Sequence, residues 1–194
     1  MEYCNVVDVK TFECFPTLIH SFALKINHEP MITSLRSTEN TDQLFLLPSF
    51  NSLVDGIIEA TTKILKKLEY SYDKIEITNM WANEMKGGDV HPPHTHSNNF
   101  LSGVYYLKGN SKKTAPIQFF DPRPAASVLQ PRNNENLYNS SMFGFYSIEG
   151  TGLIFPSWLL HWVPATEEHR ISVSWNILLR GHYGKKGTLQ NAYI

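Results

Sequence analysis

His94-Thr-His96 puts two imidazoles at positions i and i+2. In an extended segment such side chains point the same way and can grip one ion together. A third histidine, His161, stands far downstream inside the apolar run Phe155-Pro-Ser-Trp-Leu-Leu-His161-Trp-Val-Pro164, which reads as a buried strand. Three protein ligands leave positions open on a metal, as a reactive site requires, and imidazole suits iron, zinc, copper and nickel alike. Shortly after His161 comes Arg170-Ile-Ser172. A guanidinium and a hydroxyl on one face of a strand form a natural clamp for a carboxylate. Together these residues offer a metal centre beside a seat for a dicarboxylate.

Such residues have to be brought together by the elements that carry them. From Lys74 onward, short runs rich in Ile, Val, Phe, Tyr and Trp are separated by Gly, Pro and Asn clusters, the pattern of a β-sandwich or jelly roll. Ahead of them, Leu53, Ile57, Ile58, Ile64, Leu65 and Leu68 recur at helical spacing, which predicts a helix over Asn51 to Tyr70 with Ser49 and Asn51 as caps. Val6 to Ile26 alternates loosely and predicts one or two strands. The loop from Asp121 to Asn139 carries three prolines and folds over the mouth of the barrel as a lid in this reading. The polar tail after Arg180 is expected to be mobile. The chain of 194 residues, 42% hydrophobic, is long enough for one domain with a substantial core. We read it as residues 1–73 supporting a core of 74–180 and a tail of 181–194.

Charge and cysteines narrow the setting. A formal net charge of −1 provides no basic field for nucleic acid or an anionic membrane. Cys4 and Cys14 stand near the start of the sequence as ordinary thiols, without a disulfide framework. No apolar run is long enough for a membrane span, and Met1-Glu-Tyr-Cys lacks the basic start of a signal peptide. The expectation is a cytoplasmic protein, and an exposed sheet edge leaves room for a homodimer.

Several short pieces now fall into order: Trp81-Ala-Asn83, His94-Thr-His96, Ser102-Gly-Val-Tyr-Tyr106, Asp121-Pro-Arg123, Phe155-Pro-Ser-Trp158 followed by His161, and Arg170-Ile-Ser172. Each is weak alone, but the ordered set is specific. From Trp81 to Ile177 the chain resembles the 2-oxoglutarate and Fe(II)-dependent oxygenases, and in detail a group of them found in bacteria and marine phages. The resemblance implies a mainly β fold, a double-stranded β-helix (jelly roll, cupin-like) with an N-terminal helical element packed on it. It implies Fe(II) on His94, His96 and His161, with 2-oxoglutarate as co-substrate on Arg170 and Ser172. Tyr106 and Asn83 join that second set. Tyr105 and Tyr106 point to opposite faces of their strand, and the resemblance to prolyl-hydroxylase-like enzymes selects Tyr106 for the cavity. The implied reaction hydroxylates an unactivated C–H bond with O2 and releases succinate and CO2. It needs no general base, in keeping with the absence of a nucleophile motif such as Gly-x-Ser-x-Gly. The substrate, a small molecule or a peptidyl side chain, is not written in these motifs.

One position departs from the family pattern. Two residues after the first histidine the family carries a carboxylate, and this chain carries His96. A neutral ligand there leaves the centre one unit more positive. Halogenases of the superfamily open that position with a small residue, whereas His96 fills it. Asp89, Glu84 and Asp121 are other candidates for a missing carboxylate and rank below His96, Asp121 serving as a turn cap before Pro122. Two further readings stand beside the oxygenase: a three-histidine, cupin-like metal dioxygenase without 2-oxoglutarate, and a barrel that binds metal or ligand without turnover. Blander roles also compete. His91 reads as a neighbour of the site or a surface residue, Arg170 as the partner of Glu167 or Glu168, Tyr106 as core, and Asn83 as a turn residue. Trp158, Trp162 and Trp175 read as core or pocket wall.

Overall fold

The strand that organises the molecule is β9, Arg170–Arg180. Its odd-numbered residues, Ile171, Val173, Trp175, Ile177 and Leu179, are buried in an apolar layer beneath the helices. Between them, Arg170, Ser172 and Asn176 are buried on the other face. The period of two in sequence thus becomes one apolar and one polar face. In the computed structural model, which describes residues 10–39, 41–123 and 134–194, β9 lies inside a five-stranded sheet. The order is β1 (His20–Ala23), β7 (Thr151–Pro156), β4 (Leu101–Lys108), β9 and β2 (Lys74–Met85). A four-stranded sheet completes the barrel in the order β3 (His91–His94), β8 (His161–Val163), β5 (Ile117–Phe120) and β6 (Met142–Phe145). All pairings named within these two sheets are antiparallel.

Two cores result. Outside the large sheet, α2 (Asn51–Lys67) buries Leu53, Ile57 and Leu65 against Met80, Trp175 and Ile177. Each of those aliphatic side chains contributes roughly 1.5–3 kcal/mol through the water it leaves. Between the sheets, Val104, Phe119, Leu153, Phe155, Leu159 and Val163 form the barrel interior. Gly103 of β4 shows why the Ser-Gly-Val-Tyr-Tyr piece needs its glycine: a Cβ there would collide with the Trp175 ring. This is the double-stranded β-helix expected from the resemblance, with helices packed on the large sheet.

Several local expectations are corrected. The apolar run holding His161 is two strands in different sheets, β7 and β8, because Leu159 N–H closes a turn on Pro156 O at 3.0 Å. α2 is entered from a 3-10 turn over Pro48–Phe50, and no side chain caps it. A helix missed by apolar spacing, α1 (Glu29–Ser37), starts with Pro30 in its first turn, and Asn27 Oδ1 accepts the Glu29 N–H just ahead of it. The described part of Val6 to Ile26 holds one strand, β1, within the one or two expected. The tail after Arg180 forms a ribbon of β10 (His182–Tyr183) and β11 (Ala192–Tyr193), fastened by two backbone bonds between Gly181 and Ile194. Trp158 is 57% exposed rather than core or pocket wall, while Trp175 is fully buried. Residues 124–133 of the expected lid, and Cys4, lie outside the described residues.

Candidate metal centre

Two strand ends and the turn that follows one of them converge inside the barrel. His94 closes β3 and pairs with His161 at the start of β8, their ring centroids 4.3 Å apart. His96 lies two residues past the end of β3, where its N–H donates to Ser157 O at 2.9 Å. The shared direction of His94 and His96 therefore comes from a tethered turn and not from one continuous strand. One ring nitrogen from each of the three histidines lies within 4.8 Å of the other two.

Hydrogen bonds decide which nitrogen. His94 Nδ1 meets Pro92 O at 2.8 Å, His161 Nδ1 meets Leu159 O at 2.8 Å, and His96 Nδ1 meets the side-chain oxygen of Asn176. Carbonyl oxygens only accept, so all three Nδ1 atoms carry the proton and all three Nε2 lone pairs are left for a metal. Asn176 Oδ1 is itself fixed by the Ser102 hydroxyl at 2.8 Å, and Ser102 is held by Ser157. Burial pushes His161 down to about 4 and lowers His96 as well, the latter countered by its bond to Asn176. Both rings are neutral, as ligands must be. Phe155 and Phe119 press on His161 at 4.8 and 5.7 Å and exclude water behind it.

None of the alternative carboxylates joins this cluster. Glu84 pairs with His169 at 2.6 Å, Asp89 accepts the Lys86 N–H at 2.8 Å, and Asp121 accepts the Arg123 N–H and pairs with its guanidinium. His91 stacks on His94 at 4.5 Å without entering the triad, and burial, then the charges of its neighbours, push it down to about 4.

The other half of the site sits on neighbouring strands of the large sheet. Asn83, Ser172 and Tyr106 face one another in register across β2, β9 and β4. Arg170 is only 2% exposed, and its guanidinium reaches Met85 Sδ at 3.3 Å and Ser172 Oγ at 3.2 Å. Neither is an anion, and of the glutamates weighed as partners Glu168 pairs with Lys113, while no ion pair joins Glu167 to Arg170 among the described residues. Among the described residues, Arg170 Nε and the Tyr106 hydroxyl are buried without hydrogen-bond partners. Burial raises Tyr106, against the pull of the Arg170 cation, so its hydroxyl remains a donor. Asn83 donates to Ser174 Oγ at 3.1 Å. A narrow cavity of about 30 Å³ is lined by the three histidines together with Asn83, Arg170 and Ser172, and a dicarboxylate must widen it to enter. Sequence reasoning missed Asn176, Ser102 and Ser157. Asn176 was findable, since it continues the Arg170-Ser172-Ser174 face of β9.

The fold is shared by solved oxygenase structures. A prolyl-4-hydroxylase from Pseudomonas putida superposes with a TM-score of 0.59 at 12% identity, over 85% of this chain and 89% of that one. HygX from Streptomyces hygroscopicus, solved with nickel and 2-oxoglutarate bound, gives 0.59 at 12%, over 84% and 82%. A viral collagen prolyl hydroxylase from Paramecium Bursaria Chlorella virus-1, in its 2OG complex, gives 0.52 at 13%, over 82% and 94%. No curated protein matches the chain in sequence. Residues 79–176, about half the chain, match the family model described as "Putative 2OG-Fe(II) oxygenase", and the protein belongs to that family. That family is one of oxygenases that use iron and 2-oxoglutarate.

Proposed function

We propose that the chain is a 2-oxoglutarate-dependent dioxygenase that hydroxylates a C–H bond of its substrate, with His94, His96 and His161 as the metal ligands and Arg170 as the seat of the co-substrate's far carboxylate. The observation that carries this reading is the buried Arg170, which cannot lose its proton and has no anionic partner among the described residues, beside an unpartnered Tyr106 hydroxyl. A buried cation without an anion costs several kcal/mol, so the site is built for an anion that arrives from outside. Ser172 and Tyr106 add hydroxyl donors, and Asn83 flanks them. Fe(II) with 2-oxoglutarate supplies the oxidising power when bound, consuming O2 and releasing succinate and CO2. The chain's own residues position: three Nδ1 bonds aim the imidazoles, the guanidinium fixes the dicarboxylate's orientation, and Phe155 and Val104 keep water from the reacting face.

An all-imidazole donor set favours one second reading, a three-histidine dioxygenase that acts without 2-oxoglutarate. A single experiment separates the two. Anaerobic titration of the metal-free protein with Fe(II) and 2-oxoglutarate should give a visible charge-transfer band that needs both components and is lost in His161→Ala. Tight iron binding with no band would favour the second reading. We also propose one domain working in the cytoplasm, supported by a free, exposed Cys14; among the described residues no helix is long and apolar enough to cross a membrane.

A further inference from the structure

Outside the metal cavity lies a second, larger depression of about 610 Å³. Its floor is unusual in being four consecutive residues of one strand, Ala82, Asn83, Glu84 and Met85. Successive side chains of a strand point to opposite faces, so a depression that touches all four runs along the strand's edge. β2 is the last strand of its sheet, with β9 on one side only. The direction of its free main-chain groups follows from Met80, whose N–H donates to Asp42 O at 2.7 Å, away from β9. Every second residue repeats that direction, so the main chains of Ala82 and Glu84 face the depression. Gln43 already forms a parallel bridge with Met80 on this edge. The edge thus accepts a neighbouring strand at Met80 and, among the described residues, is open two residues further on.

We propose that this edge binds an extended polypeptide segment as an added strand, and that the substrate is therefore peptidyl and carries basic side chains. Alternating main-chain donors and acceptors at strand spacing match another main chain. The charges on the walls select its side chains: Glu39 and Asp89 face the depression against the guanidinium of Arg36, while Glu84 is paired with His169. The route to the chemistry is continuous, because Asn83 and His91 line both this groove and the metal cavity. A segment paired with Ala82 and Glu84 delivers a neighbouring side chain past Asn83 toward the histidines. The proposal rests on the oxygenase reading of that neighbouring site.

The test uses the full chain, immobilised, with a degenerate library of peptides of about ten residues and the same library N-methylated along its backbone. Retention of the first library should exceed that of the second several-fold, with Lys and Arg enriched in the retained pool. Ala82→Pro removes an edge amide that the β9 ladder does not use, a substitution edge strands tolerate, and should lower retention to the methylated level. Glu39→Lys, at an exposed position away from the ladder, should abolish the basic enrichment without touching the strand. Equal retention of the two libraries overturns the proposal and makes the groove a small-molecule site, as does a folded Ala82→Pro protein with unchanged retention. The Fe(II) and 2-oxoglutarate band is read on the same samples. Its absence with peptide retention intact overturns the oxygenase reading alone; its presence without retention overturns only the groove.

Discussion

The two ends of the proposed site are built on opposite terms. At the metal end every ring is held: three Nδ1 atoms have acceptors, and the acceptor of His96 is held in turn by Ser102 and Ser157. At the other end Arg170 Nε and the Tyr106 hydroxyl are buried and unpartnered. A metal site gains affinity when its ligands are fixed in advance. A seat for a soluble anion gains it by leaving strong donors unspent, at a cost to the free protein. Satisfied polar groups therefore mark the permanent part of the site and unsatisfied ones the part completed by a ligand.

Acid should separate the two ends most. In the metal-free protein His161 is held at about 4 against an ordinary value of 6.5. Between those values the unfolded chain binds a proton that the folded chain refuses, so stability is intact above about pH 6.5 and falls as pH drops toward 4. The loss is on the order of 3 kcal/mol. Denaturation midpoints measured across that window, compared with His161→Gln, check it; an identical slope in the variant would assign the effect to another group. Next in size is Arg170→Met. 2-Oxoglutarate affinity should fall at least about tenfold, iron affinity should hold, and the metal-free protein should melt no earlier, because an unpaired buried charge has gone. A lower Tm would show that Arg170 has a structural partner in the free protein. Asn176→Leu acts on the satisfied end and should do the reverse, weakening Fe(II) by about tenfold while costing stability, as calorimetry with and without metal would read. The smallest effect belongs to Tyr106→Phe, about fivefold on 2-oxoglutarate with stability unchanged, since the hydroxyl it removes has no partner.

Much of this arrangement was legible in the chain. The alternation from Arg170 to Ile177 places Arg170 and Ser172 on one face, and a strand read over Phe100 to Leu107 separates Tyr105 from Tyr106, which the structure puts against His28 and inside the barrel respectively. The helix over Asn51 to Lys67 followed from its apolar spacing, though its caps did not, because the entering 3-10 turn replaces them. α1 was invisible to spacing, having one buried apolar residue, Met31. The corner between β7 and β8 was hidden as well, since an apolar run reads alike whether it is one strand or two.

What the sequence determined by itself was the set of donors, their parity on strands and the class of chemistry, because local periodicity and residue type are properties of neighbours along the chain. Tertiary structure decided the rest. The proton on His96 is set by a carbonyl brought there by folding, since Asn176 lies eighty residues away, whereas His94 and His161 find theirs two residues back along the chain. The lack of an anion beside Arg170 among the described residues is likewise a fact about groups that the fold kept at a distance, and no local pattern records it.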